Sequence, residues 1–175
     1  MKPTTGLPAE RFLQSLEIVA REGKHLSYSW NSLFSQTIEA EWVRNLEQDP
    51  GCAERLEAFV SRFGRMQDTM ADKLLPRWLI ALAELPGSQI ETLNRAERLG
   101  VLASTERWLE ARNLRNRLVH EYITDPALFA EDLLLAKEYS LMLLDTFNRL
   151  RLDAMTRMGH SMENLSEQLA LPQLT

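Results

Sequence analysis

A single cysteine, Cys52, in a chain of 175 residues leaves no intramolecular disulfide to form, so the core alone has to hold the fold. The three histidines, His25, His120 and His160, lie far from one another and from Cys52, which excludes any local zinc or haem spacing. No stretch of about 18 uncharged apolar residues occurs, and the first residues lack the charged and apolar regions of a secretory leader. A cytoplasmic protein with no membrane partner is expected. A basic surplus is missing as well: 20 Lys and Arg face 25 Asp and Glu, for a formal charge of −5. Coating nucleic acid non-specifically needs a net basic surface for counterion release, so any nucleic acid contact has to be local. β-branched residues are scarce, with five Val and five Ile against 31 Leu, and only seven Gly and seven Pro punctuate the chain. That balance favours helices over strands.

What remains is an ordinary globular composition, 45% hydrophobic and 26% charged, on a chain long enough to bury a sizeable core. The expected fold is all-α, an up-and-down bundle of about five or six helices. Apolar residues recur at helical spacing as Phe12, Leu16, Val19, Leu26 and Leu33, with Gly23 a possible kink. A second helix runs around Ile38 to Leu46 and ends near Pro50 and Gly51. A third, from about Ala53 to Leu75, carries the clearest stripe, Phe59, Phe63, Met66, Met70 and Leu74, which reads as core. Pro76 ends or kinks it, and a further turn or two reaches Leu85 before Pro86 and Gly87. Ser88 caps a helix that Gly100 closes, and Ser104 starts the next, which runs to about Tyr122. Asp125 and Pro126 open a long last helix to about Met158. Between Leu133 and Leu144 it is apolar almost all round, which predicts one face in the bundle and one in a second copy: a homodimer. One helical domain over residues 1–158 is followed by a polar tail over 159–175 with a weak amphipathic turn, Met162, Leu165 and Leu169.

The helix before the last carries the anomaly. At about 100° per residue, Trp108, Ala111, Leu114, Leu118, Val119 and Tyr122 share an apolar arc, and Arg115 falls inside it. A guanidinium there keeps its charge and needs an anion, supplied by a carboxylate of this chain or by a ligand. Asp68 and Asp72 are the internal candidates; alternatively they are solvated or contact a second copy. Arg112, Asn116 and His120 repeat every four residues beside the arc, with Asn113 close by. Four arginines, Arg107, Arg112, Arg115 and Arg117, against Glu106, Glu110 and Glu121 make a local positive face with one imidazole. Such a face could grip a phosphate and move a proton, as a phosphodiester transesterification requires. Arg115 and His120 are five apart, about 140° on a straight helix, so one copy cannot pair them ideally. Two copies meeting on a two-fold axis would collect two of each.

The run Arg115-Asn116-Arg117-Leu118-Val119-His120-Glu121-Tyr122 resembles the signature of the HEPN superfamily, Arg then four to six residues then His, in the Arg-Asn-x-x-x-His-x-Tyr form of the HepT-like proteins. The stretch Arg62 to Pro76, RFGRMQDTMADKLLP, is similar to one common in a HepT-like branch. The resemblance implies a helical homodimer whose motifs meet in a cleft, acting as a metal-independent endoribonuclease with no cofactor. Arg115 and His120 are then the catalytic positions, supported by Asn116 and Arg112. It also implies a minimal nucleotidyltransferase antitoxin as partner, which silences the toxin by adding AMP to Tyr122. The alternative is a non-catalytic protein that binds such a nucleotidyltransferase. Every signature position is kept; the chain is longer than the smaller members. Read singly, His120 is a hydrogen-bonded structural histidine and Tyr122 an apolar-face residue with its hydroxyl at a helix end.

Overall fold

A computed structural model describes residues 6–120 and 124–173, the side chain of His120 excepted. The elements are α1 (Leu7–Leu33), α2 (Ala40–Arg44) with a 3-10 turn Asn45–Gln48, α3 (Pro50–Thr69), a π turn Met70–Leu74, α4 (Leu75–Ala81), α5 (Gln89–Arg98), α6 (Thr105–His120) and α7 (Pro126–Thr156), then a 3-10 turn Met162–Asn164. No strand occurs among the described residues, and α3, the π turn and α4 form one continuous rod. Counted so, six helices among the described residues make an all-α bundle. No described helix is long and apolar enough to cross a membrane.

The long helices follow from their spacing. On α1, Phe12, Leu16, Val19, Gly23, Leu26, Trp30 and Leu33 are buried, alternating steps of four and three that keep one stripe against α3 and α7. The helix runs unbroken through Gly23. The glycine leaves a slot in the stripe, and Leu169, from beyond Gly159, fills it: a β-carbon at Gly23 would stand 2.4 Å from Leu169 Cδ1. A glycine inside a helix costs about 1 kcal/mol against alanine, which a buried leucine side chain, at about 1.5–3 kcal/mol, offsets. The segment after Gly159 therefore packs on the bundle, with Leu169 buried, Leu165 half-buried and Met162 exposed.

Pro76 does not end its helix. A proline clashes with the carbonyl four residues back and offers no N–H, and the wider π turn, which contains Asp72 at that position, absorbs both defects. The rod stops earlier than Pro86, at Ala81: Glu84 N–H donates to Leu79 O at 2.9 Å and Ala83 N–H to Ile80 O at 2.9 Å, with Ala83 at φ 61°. This is a Schellman closure on a non-glycine residue, at a cost of about 1–2 kcal/mol. Pro50 and Gly51 do not end the second helix but open α3, because Asp49 accepts from Cys52 N–H at 3.1 Å as its N-cap and Pro50 needs no N–H in the first turn. The caps at Ser88, Gly100 and Asp125 stand as the sequence predicts. Ser88 and Glu91 form a capping box, Gly100 at φ 85° closes α5, and Asp125 Oδ1 accepts from Leu128 N–H before Pro126.

Of the apolar run on α7, Leu133, Met142, Leu143 and Leu144 are buried within the chain, Leu141 is half-buried, and Leu134 and Leu135 are exposed. The surplus apolar surface is thus narrower than the sequence suggests. A buried polar anchor closes the far side of the bundle, where Trp78 Nε1 donates to Asp153 Oδ2 and Arg157 Nε to Asp153 Oδ1, both at 2.7 Å.

His160 is buried just after the Gly159 turn; its Nε2 has no hydrogen-bond partner, and burial lowers its pKa below the ordinary imidazole value. The unfolded chain takes up that proton first as the pH drops, so stability is complete above about pH 6.5 and declines from there through the lowered value. We expect His160→Phe to flatten the fall in melting temperature between pH 7.5 and 5; an unaltered slope would show that this imidazole contributes nothing to it.

Candidate functional site

Helices α3 and α6 enclose an open groove of about 560 Å³. Its walls are apolar, with Leu56 and Val60 from α3, Leu118 from α6 and Phe129 from the start of α7. Glu57, Arg65, Asp68 and Arg115 give the lining its charge, two of each sign. The two helices are set by a buried contact, Gln67 Nε2 donating to the Ala111 carbonyl at 3.3 Å, one turn before Arg115.

Arg115 reaches the groove because α3 has no side chain opposite it. A β-carbon on Gly64 would stand 2.7 Å from Arg115 Nε and 3.2 Å from its Cγ. Lying against this bare backbone, the guanidinium meets Asp68, Nη2 to Oδ2 at 2.9 Å and Nη1 to Oδ1 at 3.5 Å. Of the two anions considered from sequence, a carboxylate of the chain is the one observed. The side chains are 33% and 49% exposed, which decides the energetics: an ion pair this open to water is worth about 0–1 kcal/mol. Asp68 orients the guanidinium but holds it weakly.

The positive face expected around Arg115 is dispersed. Arg107 lies over the Tyr139 ring at 5.4 Å, Arg112 donates to Gln89 Oε1, and Arg117 grips buried Asp132 through two bonds of 3.1 and 3.0 Å. Gln89 in turn donates to Asp72 at 3.1 Å, so Arg112 is turned toward α5 and away from Arg115. Asn113 and Asn116 are exposed. Val119 leaves the buried arc, at 54% exposure, and lines the groove. His120 is the last described residue of α6; its side chain, and all of Tyr122, lie outside the described residues.

Three contributors were missed by sequence reasoning. Gly64 could have been found, since a glycine inside a strongly patterned helix usually marks a close approach. Arg65 adds a second guanidinium to the lining. Glu22, on α1, accepts from Thr69 Oγ1 at 2.8 Å, and its Oε2 is buried without a partner. Burial raises its pKa; the Thr69 bond and the charges of Arg65 and Lys73 oppose the rise, and Asp68 adds to it. Among the described residues no group of three or more His, Cys, Asp or Glu could hold a metal ion.

No family model matches this chain, and no curated protein or solved structure is significantly similar to it. The groove is to be read on its own chemistry.

Gly64→Ala tests the crowding. The added methyl gains about 1 kcal/mol of helix propensity and forces Arg115 off Asp68, losing about 0–1 kcal/mol. Melting temperature is expected to hold or rise slightly while the Arg115 Nε–Hε resonance moves; an unmoved resonance would contradict the contact.

Proposed function

We propose that this chain is a toxin-type, metal-independent endoribonuclease whose site lies in the α3–α6 groove and is completed by a second copy. The observation that carries this reading is Arg115, a guanidinium set on a groove wall and held by one half-exposed carboxylate. A phosphate can replace that carboxylate at little cost, because the pair it displaces is worth about 0–1 kcal/mol while a charge-assisted bidentate contact to phosphate is stronger. The Arg115–His120 spacing and the resemblance to HepT-like proteins support the same assignment.

In this scheme the ribose 2′-hydroxyl attacks the adjacent phosphorus and gives its proton to the imidazole of His120. Arg115 stabilises the charge that develops on the phosphorane. The bond from phosphorus to the 5′-oxygen breaks, and the leaving oxygen takes a proton from His120 of the second copy, leaving a 2′,3′-cyclic phosphate. RNA is required because it alone carries that internal nucleophile. Arg112 and Asn116 are supporting positions; with Arg112 tied to Gln89, its support goes to the placement of α6. Leu134 and Leu135, exposed on α7, are the surface we assign to the homodimer. A minimal nucleotidyltransferase is the proposed antitoxin, acting by AMP addition to Tyr122. One observation favours the second reading, a non-catalytic nucleotidyltransferase-binding protein: Asp68 already answers the Arg115 charge within one chain.

Expression of the unaltered chain alone should arrest growth, and the purified protein should cut RNA in excess chelator. Arg115→Ala and His120→Ala should each lower cleavage by about 100-fold or more. A harmless chain that leaves RNA intact, with intact mass showing Tyr122 unmodified, would defeat the nuclease reading and leave the binding one.

A further inference from the structure

Beyond Gly159 the described chain has one 3-10 turn, Met162–Asn164, and otherwise no regular structure, yet it is held at fixed points. The Asn148 side chain on α7 pairs with the main chain of one residue: its Oδ1 accepts from Leu169 N–H at 2.9 Å and its Nδ2 donates to Leu169 O at 2.8 Å. One turn along α7, Arg151 Nε donates to Ser166 O at 2.6 Å. All three bonds read backbone, as a neighbouring strand would, and leave the choice of side chain to the slot beneath. That slot exists because residue 23 is glycine. Leu144 and Met66 complete it, their methyl carbons 3.3 and 3.4 Å from where a β-carbon on Gly23 would stand, and Leu169 fills it to 4% exposure. Nearer Glu163 the packing is not continuous: a cavity of about 360 Å³ remains between the segment and α1, lined by Leu13, Glu17 and Leu165 among others. The attachment rests on the main-chain clamp and the buried Leu169, with Leu165 half-buried against the core.

We infer that the α1–α7 groove around Asn148 is a binding site for a leucine-bearing peptide, and that residues 161–173, irregular after the 3-10 turn Met162–Asn164, are its ligand in cis. The bidentate grip of Asn148 fixes the register of the peptide, the Gly23 slot selects leucine over larger or charged residues, and the Gly159 turn tethers the ligand so that it can leave without unfolding α7. The tether gives the cis segment an effective concentration of order millimolar, so a free peptide competes poorly until the slot is emptied. This site is independent of the α3–α6 groove and of any activity there.

The full chain carrying Leu169→Asp empties the slot. Titration calorimetry with a synthetic peptide of residues 161–173 should then show one-to-one binding, about tenfold or more tighter than to the unaltered chain. The same peptide carrying Leu169→Asp should not bind, and adding Asn148→Ala to the emptied chain should weaken the native peptide by about tenfold. A folded Leu169→Asp chain that ignores the peptide, or takes both peptides equally, overturns the proposal. Should that variant not fold, hydrogen exchange on the unaltered chain decides: the Leu169 amide should exchange about 100-fold faster than the buried amides of α1 and α7, and exchange in one step with them overturns it.

Discussion

The contact between Arg115 and the bare backbone at Gly64 sets what the α3–α6 groove can do. With any side chain at position 64, the guanidinium would be driven outward; with glycine it lies along α3 within reach of Asp68. Gln67, bonded to the Ala111 carbonyl, keeps the two helices at the separation that makes this possible. The groove accordingly presents a cation against apolar walls without burying it, so no large desolvation penalty has to be met. Because the Asp68 pair is half exposed, its strength lies near the bottom of the range for ion pairs, and the guanidinium stays exchangeable.

Glycine plays the same part twice in this fold. Gly23 and Gly64 each sit inside a long helix and each receives a side chain distant in sequence, Leu169 and Arg115. Both sites cost some helix propensity, and both place a contact that no larger residue would allow. One builds the α3–α6 groove and the other anchors the segment after Gly159, so the two candidate binding surfaces of the molecule depend on the same device.

Much of the architecture was legible in the sequence because it is decided locally. The stripe from Phe12 to Leu33, the Phe59 to Leu74 core face and the caps at Ser88, Gly100 and Asp125 are written within a few residues of where they act. The continuation through Pro76 was not, since a proline is a breaker only where the preceding turn cannot widen, and the π turn Met70–Leu74 does widen. Long-range partners were not legible either. Arg112, Arg115 and Arg117 lie close together on one helix, and nothing in their spacing shows that they diverge to Gln89, Asp68 and Asp132. A helical wheel gives an arc but not its edge, which is why Val119 shares the apolar arc and is nonetheless exposed.

The proposed chemistry turns on Arg115 exchanging a carboxylate for a phosphate. Binding of a short oligoribonucleotide with 2′-deoxy substitutions, which transesterification cannot cut, isolates that exchange from turnover. Asp68→Asn removes the competing charge and should tighten binding several-fold, with Arg115→Ala reducing it to the level of a nonspecific anion and lowering the salt dependence by about one phosphate contact. Equal affinity across the unaltered chain and both variants would contradict a phosphate role for this guanidinium.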